Sequence, residues 1–132
     1  MRNQQVAFVS RRVVLLERVE RTESLPVSRE EVWGALTQPD QLSDWFGATA
    51  IEADIRPGGR LVFRDEDGIV RRALVEAVEP NERLAFRWLP MEQGPGGETW
   101  PATPAHVEFR LTETPGGTDL TVTETPLLLA RT

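Results

Sequence analysis

Few side chains in this 132-residue chain could carry out chemistry, and their types limit the reactions open to it. There is one histidine, His106, there is no cysteine, and all 15 basic residues are arginine. The lack of lysine and cysteine excludes Schiff-base chemistry, thiol nucleophiles and thiolate zinc sites. A single histidine cannot build a multi-histidine metal site within one chain, and no motif around a serine supports a nucleophilic triad. We therefore predict no catalytic residues, no metal and no cofactor.

His106, the only histidine, could act as a general base, since the pKa of an ordinary histidine lies near neutrality. It follows Pro104 at the start of a predicted strand, where a half-exposed polar residue is unremarkable. We keep His106 as a candidate ligand-binding residue. With no catalytic constellation in view, we interpret the chain as a binding domain rather than an enzyme.

Aromatic side chains are the other candidates, because they could line a pocket for an apolar or aromatic ligand. The alternative is ordinary core packing, which accounts for most buried aromatic residues. Trp100 lies in a segment rich in proline and glycine, where it could close a pocket as a lid or fill a small gap. The predicted ligand-binding residues are Trp33, Trp45, Phe46, Phe63, Phe86, Trp88, Trp100, His106 and Phe109.

Length and composition indicate a single globular domain over residues 1–132, in which residues 1–12 could form an N-terminal arm. The net charge of −6 argues against a nucleic-acid partner, because binding to a phosphate backbone requires a basic patch. No stretch approaches the roughly 20 apolar residues that cross a bilayer. The lack of cysteine fits a reducing compartment, and we predict a cytoplasmic protein.

The elements that would position these residues begin with a strand and two short helices. Residues 13–25 predict a strand, and their many charges place it at the edge of a sheet. Ser28 and Glu31 have the spacing of a capping box, which predicts a helix over residues 29–37. A second short helix follows, and Gly47 is suited to end it.

An antiparallel meander follows the helices, with turns rich in glycine, proline and acidic residues. Its predicted strands alternate apolar and polar residues, so that one face carries aromatic rings. Residues 90–104 contain four prolines and three glycines and are predicted to form a long loop. The predicted strands are residues 48–55, 61–63, 69–78, 84–88, 107–111 and 120–122.

This order of elements resembles the SRPBCC or START-like superfamily, also called Bet v 1-like or helix-grip. Within it, the chain resembles the family of activator of heat-shock-protein-90 ATPase homologues. The resemblance implies an α+β fold in which a curved antiparallel sheet of about six to seven strands surrounds a hydrophobic cavity, with two short helices after the first strand. It also implies that Trp45 and Trp88 lie near the cavity mouth. The residues that carry the resemblance are 25–37, 42–47, 56–60, 75–80, 82–88, 107–112 and 117–123.

One departure from the family concerns the end of the chain. Family members usually finish with a long C-terminal helix across the sheet, whereas only residues 127–132 follow Pro126 here, so that this helix is missing or truncated. An uncovered aromatic face would be a large exposed apolar patch, which monomers rarely carry. We therefore predict that a second copy in a homodimer, or the N-terminal arm, covers the face.

The function that these observations favour is binding of a small hydrophobic or aromatic ligand, lipids included, in a cavity between sheet and helices. Two alternatives stay open. One is a protein-interaction domain with a chaperone partner, as the family name suggests. The other is an enzyme of the cyclase or aromatase type found elsewhere in the superfamily.

Overall fold

A computed structural model of the chain describes residues 17–127 and shows the α+β fold that the sequence predicts. A curved antiparallel sheet of eight strands carries two short helices after its first strand. Along the sheet the order is β1-β8-β7-β5-β4-β3-β2, and β6 pairs with β5. The elements are β1 (Val19–Leu25), α1 (Arg29–Thr37), α2 (Pro39–Phe46), β2 (Thr49–Ala53), β3 (Arg60–Arg64), β4 (Val70–Glu79), β5 (Arg83–Gln93), β6 (Thr99–Pro101), β7 (Ala105–Thr114) and β8 (Gly117–Pro126).

The predicted helix signals are confirmed. Ser28 Oγ accepts a hydrogen bond from the Glu31 backbone N–H at 3.2 Å, and the Glu31 carboxylate accepts one from the Ser28 N–H at 3.5 Å. This capping box supplies partners for backbone groups that the first turn of α1 leaves open. Helix α2 ends at Gly47, whose φ of 67° is left-handed. Glycine adopts that conformation without steric cost, which explains the stop.

The core lies between the concave face of the sheet and the two helices. Alternate residues of β5 and β7 point inward, as a strand with one buried face requires. Their exposed fractions are 0–4%, and Val32 and Leu36 of α1 are buried above them. The predicted alternation is confirmed for Leu84, Phe86 and Trp88 on β5 and for Val107, Phe109 and Leu111 on β7.

The prediction of a long loop over residues 90–104 was wrong. Strand β5 continues through Pro90 to Gln93, and the short strand β6 pairs with its last three residues. Pairing between β4 and β5 shifts register between Arg71 and Ala73, so Pro90 lies at a β-bulge. Its missing N–H therefore removes no ladder hydrogen bond, while its carbonyl accepts one from Ala102 at 3.1 Å.

Strands β1 and β2 form the two edges of the described sheet, and the predicted edge position of the first strand is confirmed. No helix follows β8 before Leu127, where the described residues end. The N-terminal arm, residues 13–16 of the predicted first strand and residues 128–132 lie outside the described part. Neither helix found in residues 17–127 is long and apolar enough to cross a membrane.

Candidate functional site

Five of the predicted ligand-binding residues form one aromatic cluster on the concave face. Phe46 of α2 stacks on Phe63 of β3, with ring centroids 4.5 Å apart and planes 12° apart. Phe86 and Trp88 meet edge to face at 5.3 Å, and Phe109 lies 6.1 Å from Phe86. All five rings are at most 3% exposed. Most of this cluster therefore acts as core, in contact geometries that each add about 0.5–1.5 kcal/mol beyond simple burial.

A recess opens at one side of the cluster, between the end of α2 and strands β3, β4 and β5. It is mostly apolar with two polar groups, a carboxylate and a guanidinium. Its cavity volume is about 10 Å³, which is room for about one water molecule. Sites for drug-sized ligands are usually about 300–1,000 Å³, so such a ligand would require side chains to move. The lining residues are Phe46, Ala48, Phe63, Asp65, Ile69, Arg71 and Trp88.

The remaining predicted residues lie away from this recess or outside the description. Trp33 is half-buried and packs against the core from α1. The side chain of Trp45 is outside the described part of the structure. His106 lies between the inward residues Ala105 and Val107 and so projects from the outer face, where its Nδ1 is 2.8 Å from Glu76 Oε1.

Arg71 is the functional candidate that the sequence interpretation missed. Its guanidinium carbon lies 4.5 Å from the centre of the Trp88 ring, a cation–π distance. Arg71 Nε is 3.3 Å from Glu92 Oε2, and its Nη2 donates to the Thr103 carbonyl at 3.3 Å. The side chains of Arg71 and Glu92 are only 11% and 1% exposed. This ion pair is therefore built into the sheet beside the recess.

Trp100 supports that ion pair from the short strand β6. Its indole Nε1 donates a hydrogen bond to Glu92 Oε1 at 2.9 Å. Glu92 thus accepts from an indole with one oxygen and faces a guanidinium with the other, which is how a buried carboxylate is stabilised. Trp100 fixes the carboxylate that in turn fixes Arg71.

A second inward-pointing carboxyl group belongs to Glu124 of β8, which lies opposite the buried Val107 and interacts electrostatically with Arg71. Burial raises the pKa of Glu124 to about 7, and the positive charge of Arg71 offsets part of that rise. Burial also lowers the pKa of Arg71, against the opposing effect of Glu92 and Glu124. A carboxyl group that is half-ionised near neutral pH can hold or release a proton under ordinary conditions. We name Arg71, Glu92, Trp100 and Glu124 the inner polar cluster.

No cluster of three or more histidine, aspartate or glutamate side chains suited to a metal ion occurs in residues 17–127. The inner polar cluster has two carboxyl groups and one guanidinium, and Arg71 is the member that lines the recess. Its chemistry is therefore hydrogen bonding, charge pairing and proton exchange.

Known structures share this fold. The crystal structure of MLL2253 from Mesorhizobium loti is 28% identical, with a TM-score of 0.69 over 84% of this chain and 77% of that one. DynU16, from the dynemicin biosynthetic locus, is 27% identical, with a TM-score of 0.68 over 85% of this chain and 38% of that one. Ms6760 from Mycobacterium smegmatis is 23% identical, with a TM-score of 0.69 over 84% of this chain and 73% of that one.

Sequence comparison adds the family. A search of curated protein sequences finds no match. The family model described as "Activator of Hsp90 ATPase homolog 1-like protein" matches residues 26–131, which begin just before α1 and end beyond β8. Because that match covers most of the chain, the chain belongs to the Activator of Hsp90 ATPase homolog 1-like family.

Proposed function

We propose that this domain binds a small hydrophobic or aromatic molecule in the recess between α2 and strands β3, β4 and β5. The observation that carries the proposal is the lining of the recess. Three aromatic rings form its apolar walls, and the guanidinium of Arg71 lies beside them. An apolar hollow with a few convergent polar groups is the usual form of a small-molecule site.

Entry of a ring-sized ligand requires the recess to widen. Phe46 is the last residue of α2, stacks on Phe63 and lines the recess, so its side chain is the one that we expect to move. A planar ligand that displaces the Phe46 ring could restore the same stacking contact with Phe63. The stacking energy lost between Phe46 and Phe63 would then nearly equal the stacking energy gained between the ligand and Phe63. The recess could therefore widen although it is filled in the unliganded protein.

An uncharged fluorescent probe, N-phenyl-1-naphthylamine, tests the proposal. We expect saturable binding to the wild-type protein and at least tenfold weaker binding to Ala48→Phe, because the added ring occupies the recess that Ala48 lines. Ile51→Phe is the matched control, since Ile51 is 44% exposed on the neighbouring strand and should leave binding unchanged. Thermal unfolding of both variants would show that they fold. Absence of saturable binding, or equal binding to Ala48→Phe, would contradict the proposal.

The likeness to DynU16 supports a small-molecule ligand, since that protein comes from a biosynthetic locus. A chaperone partner stays a prediction supported by the family description. An enzyme of the cyclase or aromatase type also stays a prediction.

The homodimer is a further prediction, for which native mass spectrometry is the direct test. The sequence argument for it was that the aromatic face of the sheet would be exposed in a single chain. The five clustered rings are at most 3% exposed within one chain, so their burial does not require a second copy.

A further inference from the structure

Strand β1 is an edge strand, and within residues 17–127 only β8 pairs with it. The two strands pair over seven consecutive residues, Val19–Leu25, without a register shift. Six of these seven residues are exposed. The open side of β1 therefore presents a regular row of backbone N–H and C=O groups, with which another strand can pair.

The opposite edge of the sheet is protected in ways that β1 is not. Strand β2 has only five residues, and its pairing with β3 shifts register between Ala50 and Glu52, which marks a β-bulge. Short strands and bulges are two usual means by which natural sheets prevent further pairing. Strand β1 is longer and contains neither a bulge nor a proline. Its charges are the remaining means, so their arrangement decides what can pair with it.

The charges of β1 become complementary when a second β1 strand lies antiparallel to it. If Thr22 of one copy lies opposite Thr22 of the other, then Arg21 of each copy lies opposite Glu23 of the other. Opposite charges at directly opposing positions stabilise a pair of antiparallel strands. The other opposing pairs in this arrangement are Val19 with Leu25 and Glu20 with Ser24. No like charges oppose each other, and the apolar ends of the two strands meet.

Other registers of the same two strands are less favourable. Directly opposing residues point to the same face, so a slip of one residue would turn the second sheet over and remove the two-fold symmetry. A slip of two residues places Arg21 opposite Arg21 in one direction and Glu23 opposite Glu23 in the other. Like charges directly opposite each other destabilise a strand pair. The sequence of β1 therefore favours the register centred on Thr22.

We propose that two copies of this chain form a dimer by antiparallel pairing of their β1 strands about Thr22, which joins the two sheets into one continuous sheet. Each copy contributes the same strand, as a two-fold interface requires. Backbone hydrogen bonds stabilise the pair, and the two Arg21–Glu23 contacts set its register. The second copy extends the edge of the sheet and does not cover its concave face. The inference goes beyond the proposed function, because no residue of β1 lines the recess.

Charge reversal tests this interface, with analytical ultracentrifugation of the full chain as the measurement. We expect reversible dimerisation of wild type, and at least tenfold weaker dimerisation of Arg21→Glu and of Glu23→Arg, because each change turns both ion pairs into like charges. An equimolar mixture of these two variants should dimerise as wild type does, since each then meets the opposite charges of the other. Thermal unfolding of each variant alone checks that it folds.

Glu20→Arg is the matched control for Glu23→Arg. It makes the same change of charge on the same strand, but Glu20 would lie opposite the neutral Ser24, and dimerisation should stay as in wild type.

Single cysteines test the register directly, because the chain has no cysteine of its own. Under mild oxidation, Thr22→Cys should form a disulfide between copies at least tenfold faster than Ser24→Cys. Only position 22 meets its own counterpart, at a separation that a disulfide can span, whereas the two positions 24 are displaced by about 13 Å along the strands. Mass spectrometry without reducing agent measures both rates.

Four outcomes would overturn the inference. One is a wild-type chain that stays monomeric up to about 1 mM, and another is a dimer that both charge reversals leave unchanged. The third is a mixture of the two variants that fails to dimerise, and the fourth is an equal rate of disulfide formation at positions 22 and 24. None of these outcomes bears on ligand binding in the recess, which has its own test.

Discussion

At the scale of single residues, Glu124 makes stability depend on pH in an unusual direction. Its pKa is raised to about 7 in the folded protein, from an ordinary value of 4.5. Between these values the folded state holds a proton that the unfolded state has lost. The contribution of Glu124 is therefore fully present below pH 4.5 and is lost as pH rises through 7. Most native carboxylates act in the opposite sense, because their pKa values are lowered.

The variant Glu124→Gln isolates this contribution. We expect the free energy of unfolding of wild type to fall by about 2 kcal/mol relative to Glu124→Gln between pH 5 and pH 8. Urea denaturation at several pH values measures the difference, and the contributions of all other titratable groups cancel because both proteins contain them. A constant difference across this range would show that Glu124 is not buried in its neutral form.

The inward position of Arg71 was not predicted from the sequence. On β4 the inward positions are Ala73 and Val75, so a period of two places Arg71 on the same face. This spacing was present in the sequence, but a charged side chain does not suggest an inward position, because charged residues are rarely buried unless they are paired. The register confirms the inward phase, since Arg71 pairs with Phe63 of β3. Glu124 was also missed, because it continues the inward series of Leu120 and Val122 on β8 beyond the predicted strand of residues 120–122.

At the scale of elements, the turn between β7 and β8 contacts the segment that leads from β1 into α1. Gly117 has φ of 153°, and a Cβ there would lie 2.0 Å from the Leu25 carbonyl oxygen. The next residue, Thr118, donates its hydroxyl to the Val27 carbonyl at 2.8 Å. The chain leading into α1 therefore lies directly against this turn, where only glycine leaves enough space.

Substituting alanine at Gly116 and at Gly117 in separate variants distinguishes the close approach to Leu25 from a general effect of alanine in this turn. We expect Gly117→Ala to lower the free energy of unfolding by about 3 kcal/mol or more, because the methyl group collides with fixed backbone. Gly116→Ala should change it by less than about 0.5 kcal/mol, since within residues 17–127 no atom beyond its chain neighbours lies within 4 Å of the position that its methyl group would take. Equal effects in chemical denaturation would contradict the assigned role of Gly117.

Elements whose signals are local could be predicted from the sequence. The capping box of α1, the glycine at the end of α2 and the alternation of β5 and β7 each depend on neighbouring residues, and each is confirmed. The continuation of β5 could not be predicted, because Pro90 is tolerated only through a bulge in its pairing with β4. The hydrogen bond of Trp100 to Glu92 depends on β6, so the missed strand also concealed part of the site.

At the scale of the whole molecule, the recess lies toward one edge of the sheet. Strands β5 and β7 are central, whereas β1 and β2 each pair with one strand in the described residues. The recess residue Ala48 connects α2 to edge strand β2, and the Ala50 N–H donates to Ser43 Oγ of α2 at 2.9 Å. Separation of α2 and β2 from the sheet would open the recess while the central strands stay paired.

Hydrogen exchange under native conditions tests this view of opening. We expect the amides of Phe86 and Val107 to exchange only through global unfolding, because they lie in central strands with buried side chains. The Ala50 amide should exchange faster through local opening, and saturating N-phenyl-1-naphthylamine should slow it while leaving β1 unchanged. The reason is that a ligand held in the recess favours the state in which α2 and β2 are closed. Equal protection of the β1 and β2 amides by the probe would instead indicate that the probe stabilises the whole fold. That result would contradict local opening of α2 and β2 at the recess.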